Sequence, residues 1–297
     1  MSNAQARRPR LHHVVERIGG VSGLDGPAEA VAKWVRGAIP RGPVKDVLSG
    51  TPLGHAIHPL LTDLPIGTWT SAVVLDLVGG RAARPASRRL IAAGIVAAVP
   101  AATTGLNDWA DTTPASDGVR RIGAVHAVAN VTGLGLFAAS LAARMRDRHG
   151  KGVALGLAGM GALTVGGHLG GHLSFARAVG VDQTAFESGP AEWTEVLDDA
   201  ALPADEPRGA MVDGHPIVLV RRNGQAFALA DRCAHRGGRL HEGELVGDCL
   251  ECPLHGSRFR LSDGSVERGP SAYPQPVYDV RVQGGRIAVR ASGAPES

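Results

Sequence analysis

The sequence predicts two domains of unlike make: an N-terminal all-α transmembrane four-helix bundle and a C-terminal all-β domain that holds a metal centre. Three observations carry this. Residues 58–175 are rich in Ala, Gly, Leu and Val and contain four apolar stretches. From Trp193 onward, short alternating runs are separated by turn residues at regular intervals. The three cysteines, Cys233, Cys249 and Cys252, lie close together in that second region.

The four apolar stretches run from about Leu60 to Val78, Leu90 to Leu106, Ile122 to Ala143 and Val153 to Phe175. Each is near the roughly 20 residues that cross a bilayer as helix. The first contains Asp63 and Asp76; the third and fourth contain no Asp, Glu, Lys or Arg. A water-soluble bundle would show polar residues at helical spacing on its outer faces. These segments show instead many glycines and alanines, which suit close helix contact in lipid. Residues 1–57 read as a cytoplasmic or interfacial segment, with short helices between Val14 and Ile39 broken at Gly19-Gly20, Gly23 and Gly26-Pro27. Residues 58–180 form the helical domain, 181–192 a linker and 193–292 the β domain.

In the β domain, "HPIVLVRR", "QAFALA", "YPQPVYDVRV" and "GRIAVRA" alternate apolar and polar positions, with "RRNGQ", "LSDGS" and "VQGGR" as turns. Charge is nearly balanced, 31 Lys and Arg against 28 Asp and Glu, with no run of five like charges. That argues against nucleic acid as a partner. Arg7, Arg8 and Arg10 are not followed by an unbroken apolar run with a small-residue cleavage site, so no secretory signal is read there.

The informative stretch is "CAHRGGRLHEGELVGDCLECPLHGS": Cys-x-His, 16 intervening residues, then Cys-x-x-His. Two short loops of this kind offer two thiolates to one iron and two imidazoles to the other iron of a [2Fe–2S] cluster. Neutral His in place of anionic Cys favours the reduced state, so the potential rises to roughly −150 to +300 mV, against about −400 mV for an all-Cys plant-type cluster. The predicted ligands are Cys233, His235, Cys252 and His255, with Cys249 a buried strand thiol. Gly237, Gly238 and Gly256 allow tight turns that aim N–H groups at the sulfurs. The competing reading is zinc: Cys249, Cys252 and His255 also spell Cys-x-x-Cys-x-x-His. It leaves Cys233 or His235 idle.

Residues 191–292 resemble a Rieske-type ferredoxin domain, through "HPIVLVRRNGQAFAL", the two ligand loops and "FRLSDGS". The resemblance implies electron transfer with a separate redox partner protein, a reductase or an acceptor. Respiratory relatives carry an extra Cys in each loop that form a disulfide; the matching positions here are Gly238 and Leu254. Ser257 is kept as a donor to a bridging sulfide. Phe259 stands where high-potential relatives have Tyr, and fewer hydrogen bonds to sulfur imply a lower potential. Rieske oxygenases add a large domain with a mononuclear iron, for which this sequence leaves no stretch.

Residues 45–180 resemble a bacterial membrane-domain family of unknown function, through "GHAIHPLLTDLPIG", His126 and "GGHLGGHL". Intramembrane histidines are costly and usually functional. With four antiparallel spans, His55, His58, His126, His168 and His172 fall near one membrane face. Three readings stand: a b-type haem held by two of His58, His126, His168 and His172, approached through Gly167, Gly170 and Gly171; a polar network joining His58, Asp63, His126 and Asn130; or a quinone or divalent-metal site. Asp76 reads as an interfacial charge near Arg81 and Arg84. The expected protein is a membrane-anchored electron carrier. A redox sensor, or a ferredoxin whose helices only anchor it, is the alternative. Loop arginines place the β domain outside by the positive-inside rule. Cluster assembly in the cytoplasm and the basic N-terminus place it on the cytoplasmic side, the reading preferred here.

Overall fold

The computed structural model describes residues 10–112 and 117–292; the Arg7-Arg8 reading lies outside them. The chain divides into two units, Met1–Ala38 with Ile57–Val179, and Ile39–Ala56 with Gly180–Ser297. Residues 39–56, expected to belong to the N-terminal segment, therefore fold with the β unit. The reason is direct bonding: Thr51 Oγ1 donates to Ser271 O at 2.9 Å, and Arg41 pairs with Glu251 at 3.3 Å.

The helices are α1 (Arg10–Gly19), α2 (Asp25–Ala38), α3 (Pro43–Ser49), α4 (His58–Val78), α5 (Arg84–Ala110), α6 (Asp117–Met145) and α7 (His149–Gly171). A π-helical turn, His172–Ala176, extends α7. Pro59 and Pro85 open α4 and α5, at positions where a missing N–H costs nothing. In the helical unit α4 packs on α5, and α6 on α7, as two antiparallel hairpins. α1 and α2 bury Val15, Ala28, Ala32 and Val35.

Three helical stretches are long and apolar enough to cross a membrane: Arg81–Ala110, Asp117–Met145 and His149–Ala176. The expected fourth, α4, falls short by composition because Asp63, Asp76 and several threonines dilute it. Its exposed side still includes Leu60, Leu64, Val74, Leu77 and Val78. Asp76 is not the interfacial charge expected beside Arg81 and Arg84. It is buried and paired with Arg144 of α6 at 2.5 Å, with Ser87 donating to it at 2.7 Å. Both charged side chains are nearly inaccessible, 2% and 3% exposed, so neither survives there without the other.

The β unit has a six-stranded antiparallel sheet in the order β1 (Thr194–Asp198), β10 (Arg286–Ala291), β9 (Val277–Gln283), β4 (Gln225–Ala230), β3 (His215–Arg222), β2 (Arg208–Val212). A four-stranded sheet runs β5 (Glu244–Val246), β6 (Cys249–Glu251), β7 (Arg258–Arg260), β8 (Val266–Arg268). Strand alternation divides β3 between two cores. Ile217 and Leu219 join Leu202, Tyr278, Ile287 and Val289. Val218 and Val220 face Leu250, Phe259, Leu261, Cys233 and Cys252. The second core lies between the sheets, so the ligand loops rest on a packed apolar floor.

Removing one member of a buried ion pair strands the other, at a cost of ~3–5 kcal/mol, whereas an apolar pair is tolerated. Arg144→Met is expected to lower the unfolding temperature of the detergent-solubilised protein strongly. Asp76→Leu combined with Arg144→Met is expected to lower it much less. Equal losses in the single and double variants would contradict this account.

Candidate metal centre

Cys233 follows β4 and Cys252 follows β6, each opening a short loop. The two loops are built alike. Gly237 N–H donates to Cys233 O at 2.8 Å, and Cys233 N–H to Gly238 O at 2.8 Å. In the second loop Gly256 N–H donates to Cys252 O at 3.0 Å, and Cys252 N–H to Ser257 O at 2.8 Å. Gly237 and Gly256 have φ of 69° and 80°, the left-handed region where a side chain is strained.

This backbone aims donors at the sulfurs. The N–H groups of His235 and Arg236 point at Cys233 Sγ, and those of Leu254 and His255 at Cys252 Sγ. The two sulfurs hydrogen-bond each other. Sharing one proton pushes the Cys233 thiol up, with burial adding to the shift, and pulls Cys252 down to about 7. Of the two sulfurs, Cys252 is thus the readier to ionise. The His235 and His255 rings stand edge-on, centroids 5.0 Å apart. Burial, then the nearby Arg236, His255 and Lys45, keeps His235 well below the usual imidazole range and hence neutral. Its Nδ1 is buried without a hydrogen-bond partner. Two paired sulfurs and two paired imidazoles are the donor set that a cluster with one Cys₂ iron and one His₂ iron requires.

Cys249 is buried on β6, apart from the loops. Gly238 has ordinary backbone angles, and its reason is space: an added Cβ would come within 2.8 Å of Leu254 and 3.1 Å of Cys252 Sγ. Gly238 and Leu254 thus do face each other across the loops, and leucine fills the gap between them. Ser257 Oγ accepts from Ser271 N–H at 2.9 Å, and Phe259 is fully buried in the inter-sheet core.

Sequence reasoning missed two supports. Gln275 Oε1 accepts from Ala234 N–H at 3.0 Å, and its Nε2 donates to Ala230 O and Arg232 O, each at 2.7 Å. One amide therefore fixes the start of the first loop. The second support is the segment 39–56. The Arg41 guanidinium lies where a Cβ on Gly256 would come within 2.8 Å of it. Arg41, Arg258 and Arg268 together surround the buried carboxylate of Glu251. Asp46 accepts from Gly269 N–H, and burial raises its carboxyl above the ordinary range. No motif marks Gln275 or Arg41, because their partners lie far away in sequence.

The membrane histidines do not gather as expected. His58 Nδ1 meets Ala101 O at 2.9 Å, and His126 Nδ1 meets Gly166 O at 2.8 Å. His168 is exposed. His172 turns toward α1, with its Nε2 3.6 Å from Glu16 and its ring 5.4 Å from that of His12. The cause is helical phase: Gly166 and Gly170 face α6, so residue 168, two positions from each, lies about half a turn away from His126. Asp63 is exposed, outside the network expected of it, whereas Asn130 Nδ2 does lie 3.2 Å from His126 Nε2.

Comparison with known families matches residues 192–279 to the Rieske [2Fe-2S] domain and residues 54–183 to a family described as Predicted membrane protein (DUF2231). The chain is 32% identical over 99 residues to the anthranilate 1,2-dioxygenase ferredoxin subunit of Burkholderia cepacia, covering 33% of this chain and 92% of that one. It is 37% identical over 90 residues to the 3-phenylpropionate/cinnamic acid dioxygenase ferredoxin subunit of Escherichia coli K12, covering 29% and 85%. Among solved structures, the ferredoxin of carbazole 1,9a-dioxygenase from Nocardioides aromaticivorans IC177 is 29% identical, with a TM-score of 0.33, covering 34% of this chain and 98% of that one.

Each buried backbone group that loses its partner costs ~1–3 kcal/mol. Gln275→Ala is therefore expected to loosen the first loop, and the purified protein should surrender iron to a chelator several-fold faster than the parent. Equal release rates would show that the amide is dispensable.

Proposed function

The chain belongs to the Rieske [2Fe–2S] family through its C-terminal domain, and on that premise we propose that Cys233 and Cys252 ligate one iron of the cluster and His235 and His255 the other. The observation that carries this is the matched pair of loops, each giving one thiol and one imidazole to a common point. When bound, the cluster supplies one-electron redox chemistry. The chain's own part is to hold the two sulfurs with four backbone N–H donors and to keep the His235 imidazole neutral by burial. The zinc reading built on Cys249, Cys252 and His255 is disfavoured, because Cys249 stands apart on its strand.

The protein then works as a membrane-bound carrier of single electrons. Its curated relatives are ferredoxin subunits of dioxygenases. We extend that role to this chain: it takes electrons from a reductase and passes them to a protein acceptor or to a second redox group, haem or quinone, in the helical unit. His58 and His126, each fixed by a backbone carbonyl, favour the second route. The β unit is assigned to the cytoplasmic side, where clusters are assembled. Protease shaving of spheroplasts checks this: digestion of the β unit in intact spheroplasts would place it outside.

The purified chain is expected to hold two iron and two labile sulfide, and Cys233→Ser or His255→Ala to lose the reduced-state EPR signal. Zinc in place of iron would overturn the assignment. The midpoint potential is expected in the lower part of the range of roughly −150 to +300 mV, because Phe259 brings no hydroxyl to the sulfurs. A redox titration giving a value near the top of that range would contradict this.

A further inference from the structure

The two helical hairpins repeat each other, contact by contact. Each position of α4 has a counterpart on α6 at one constant offset, and α5 matches α7 in the same way. His58 corresponds to His126, Trp69 to Phe137 and Asp76 to Arg144. On the second helices Gly94 corresponds to Gly159, Ala101 to Gly166 and Gly105 to Gly170.

The contacts follow the same correspondence. His58 bonds Ala101 O and packs where a Cβ on Gly105 would come within 2.7 Å of its ring. His126 bonds Gly166 O and packs where a Cβ on Gly170 would come within 3.0 Å. Trp69 fills the space over Gly94, and Phe137 the space over Gly159.

A residue that touches its own counterpart lies beside a two-fold axis. Trp69 and Phe137 do so, stacked with centroids 4.4 Å apart at 5°. Asp76 and Arg144 do so as an ion pair. The axis therefore runs between α4 and α6. His58 and His126 are a third corresponding couple, each fixed to a carbonyl of its own hairpin partner, and they lie close enough to interact electrostatically.

A carbonyl can only accept, so Nδ1 of each ring carries the proton and Nε2 keeps its lone pair, directed away from the carbonyl. This is how metal-ligating histidines are usually fixed. His126 Nε2 is met by Asn130 Nδ2 at 3.2 Å, but that amide also donates to His126 O at 2.9 Å and keeps a partner if it yields the nitrogen. Among the described residues, the His, Cys, Asp and Glu trio close enough to hold a bare ion is His12, Glu16 and His172, and Glu16 there is paired with Arg177. The His58–His126 couple has no third ligand. Two neutral imidazoles and nothing else suit an iron whose four remaining positions are already filled by a macrocycle.

We propose that His58 and His126 are the two axial ligands of one b-type haem on the pseudo-two-fold axis of the helical unit. The ligation stands on the helices alone; only its partner, the cluster, rests on the electron-carrier reading. In the exchange one electron leaves the reduced cluster and ferric haem iron becomes ferrous, with no bond made or broken.

The test uses the full chain, purified in detergent from membranes of cells supplied with a haem precursor. The pyridine haemochrome assay is expected to give about one b haem per chain, with a low-spin spectrum. His58→Gly and His126→Gly should each abolish that spectrum, and added imidazole should restore it. His168→Gly should leave it unchanged. The cluster EPR signal, unaltered in all three variants, shows that the β unit folds, and recovery of the haem spectrum with imidazole shows that the helical unit does. If the glycine variants do not accumulate, His126→Met should keep the haem and raise its midpoint potential. A full cluster signal without haem, or haem unchanged in both glycine variants, overturns the proposal. Haem without a cluster overturns the electron-carrier reading and upholds the ligation.

Discussion

A polar group withdrawn from water must take its partner with it, and both units are organised by that requirement. In the β unit it acts on Cys233 and Cys252. Their own amides and carbonyls are tied within the loop, which leaves the N–H groups two and three residues further on to face each sulfur. In the helical unit it acts on Asp76 and Arg144, whose mutual burial holds α4 against α6. Glycine is the means in both places. It gives the left-handed turns at 237 and 256, and it makes the hollows over which Trp69, Phe137, His58 and His126 lie.

The division into an apolar helical half and an alternating β half was legible in the sequence, because hydropathy and period are local properties. So was the Cys-x-His and Cys-x-x-His pairing, since each ligand loop is a short continuous segment. Other features are set by contacts distant in the chain. Gln275 looks like any loop glutamine, yet it fixes residues more than forty positions earlier. Residues 39–56 are ordinary in composition, and only their bonds to Glu251, Gly269 and Ser271 assign them to the β unit. Sequence alone places Asp76 beside Arg81 and Arg84, which are near it in the chain, because its partner Arg144 lies on another hairpin. The histidines of α7 were grouped with His126 by depth alone, and helical phase separates them.

The pairing of like with like is the common theme of the two units. A [2Fe–2S] rhomb presents two irons, and the β unit meets it with two loops of one design. The helical unit has the same logic at larger scale, two hairpins whose corresponding residues meet along one axis. Duplication is an economical route to such a seam. A single favourable contact, such as a ring over a glycine or an imidazole on a carbonyl, appears twice, and the two copies face each other without a separate solution for each side. The two halves of the seam differ where identity would be costly. Two aspartates or two arginines meeting at the axis would repel in a low-dielectric interior, so one copy carries Asp76 and the other Arg144. Two neutral histidines carry no such penalty, which is why that couple could remain identical while the charged one could not.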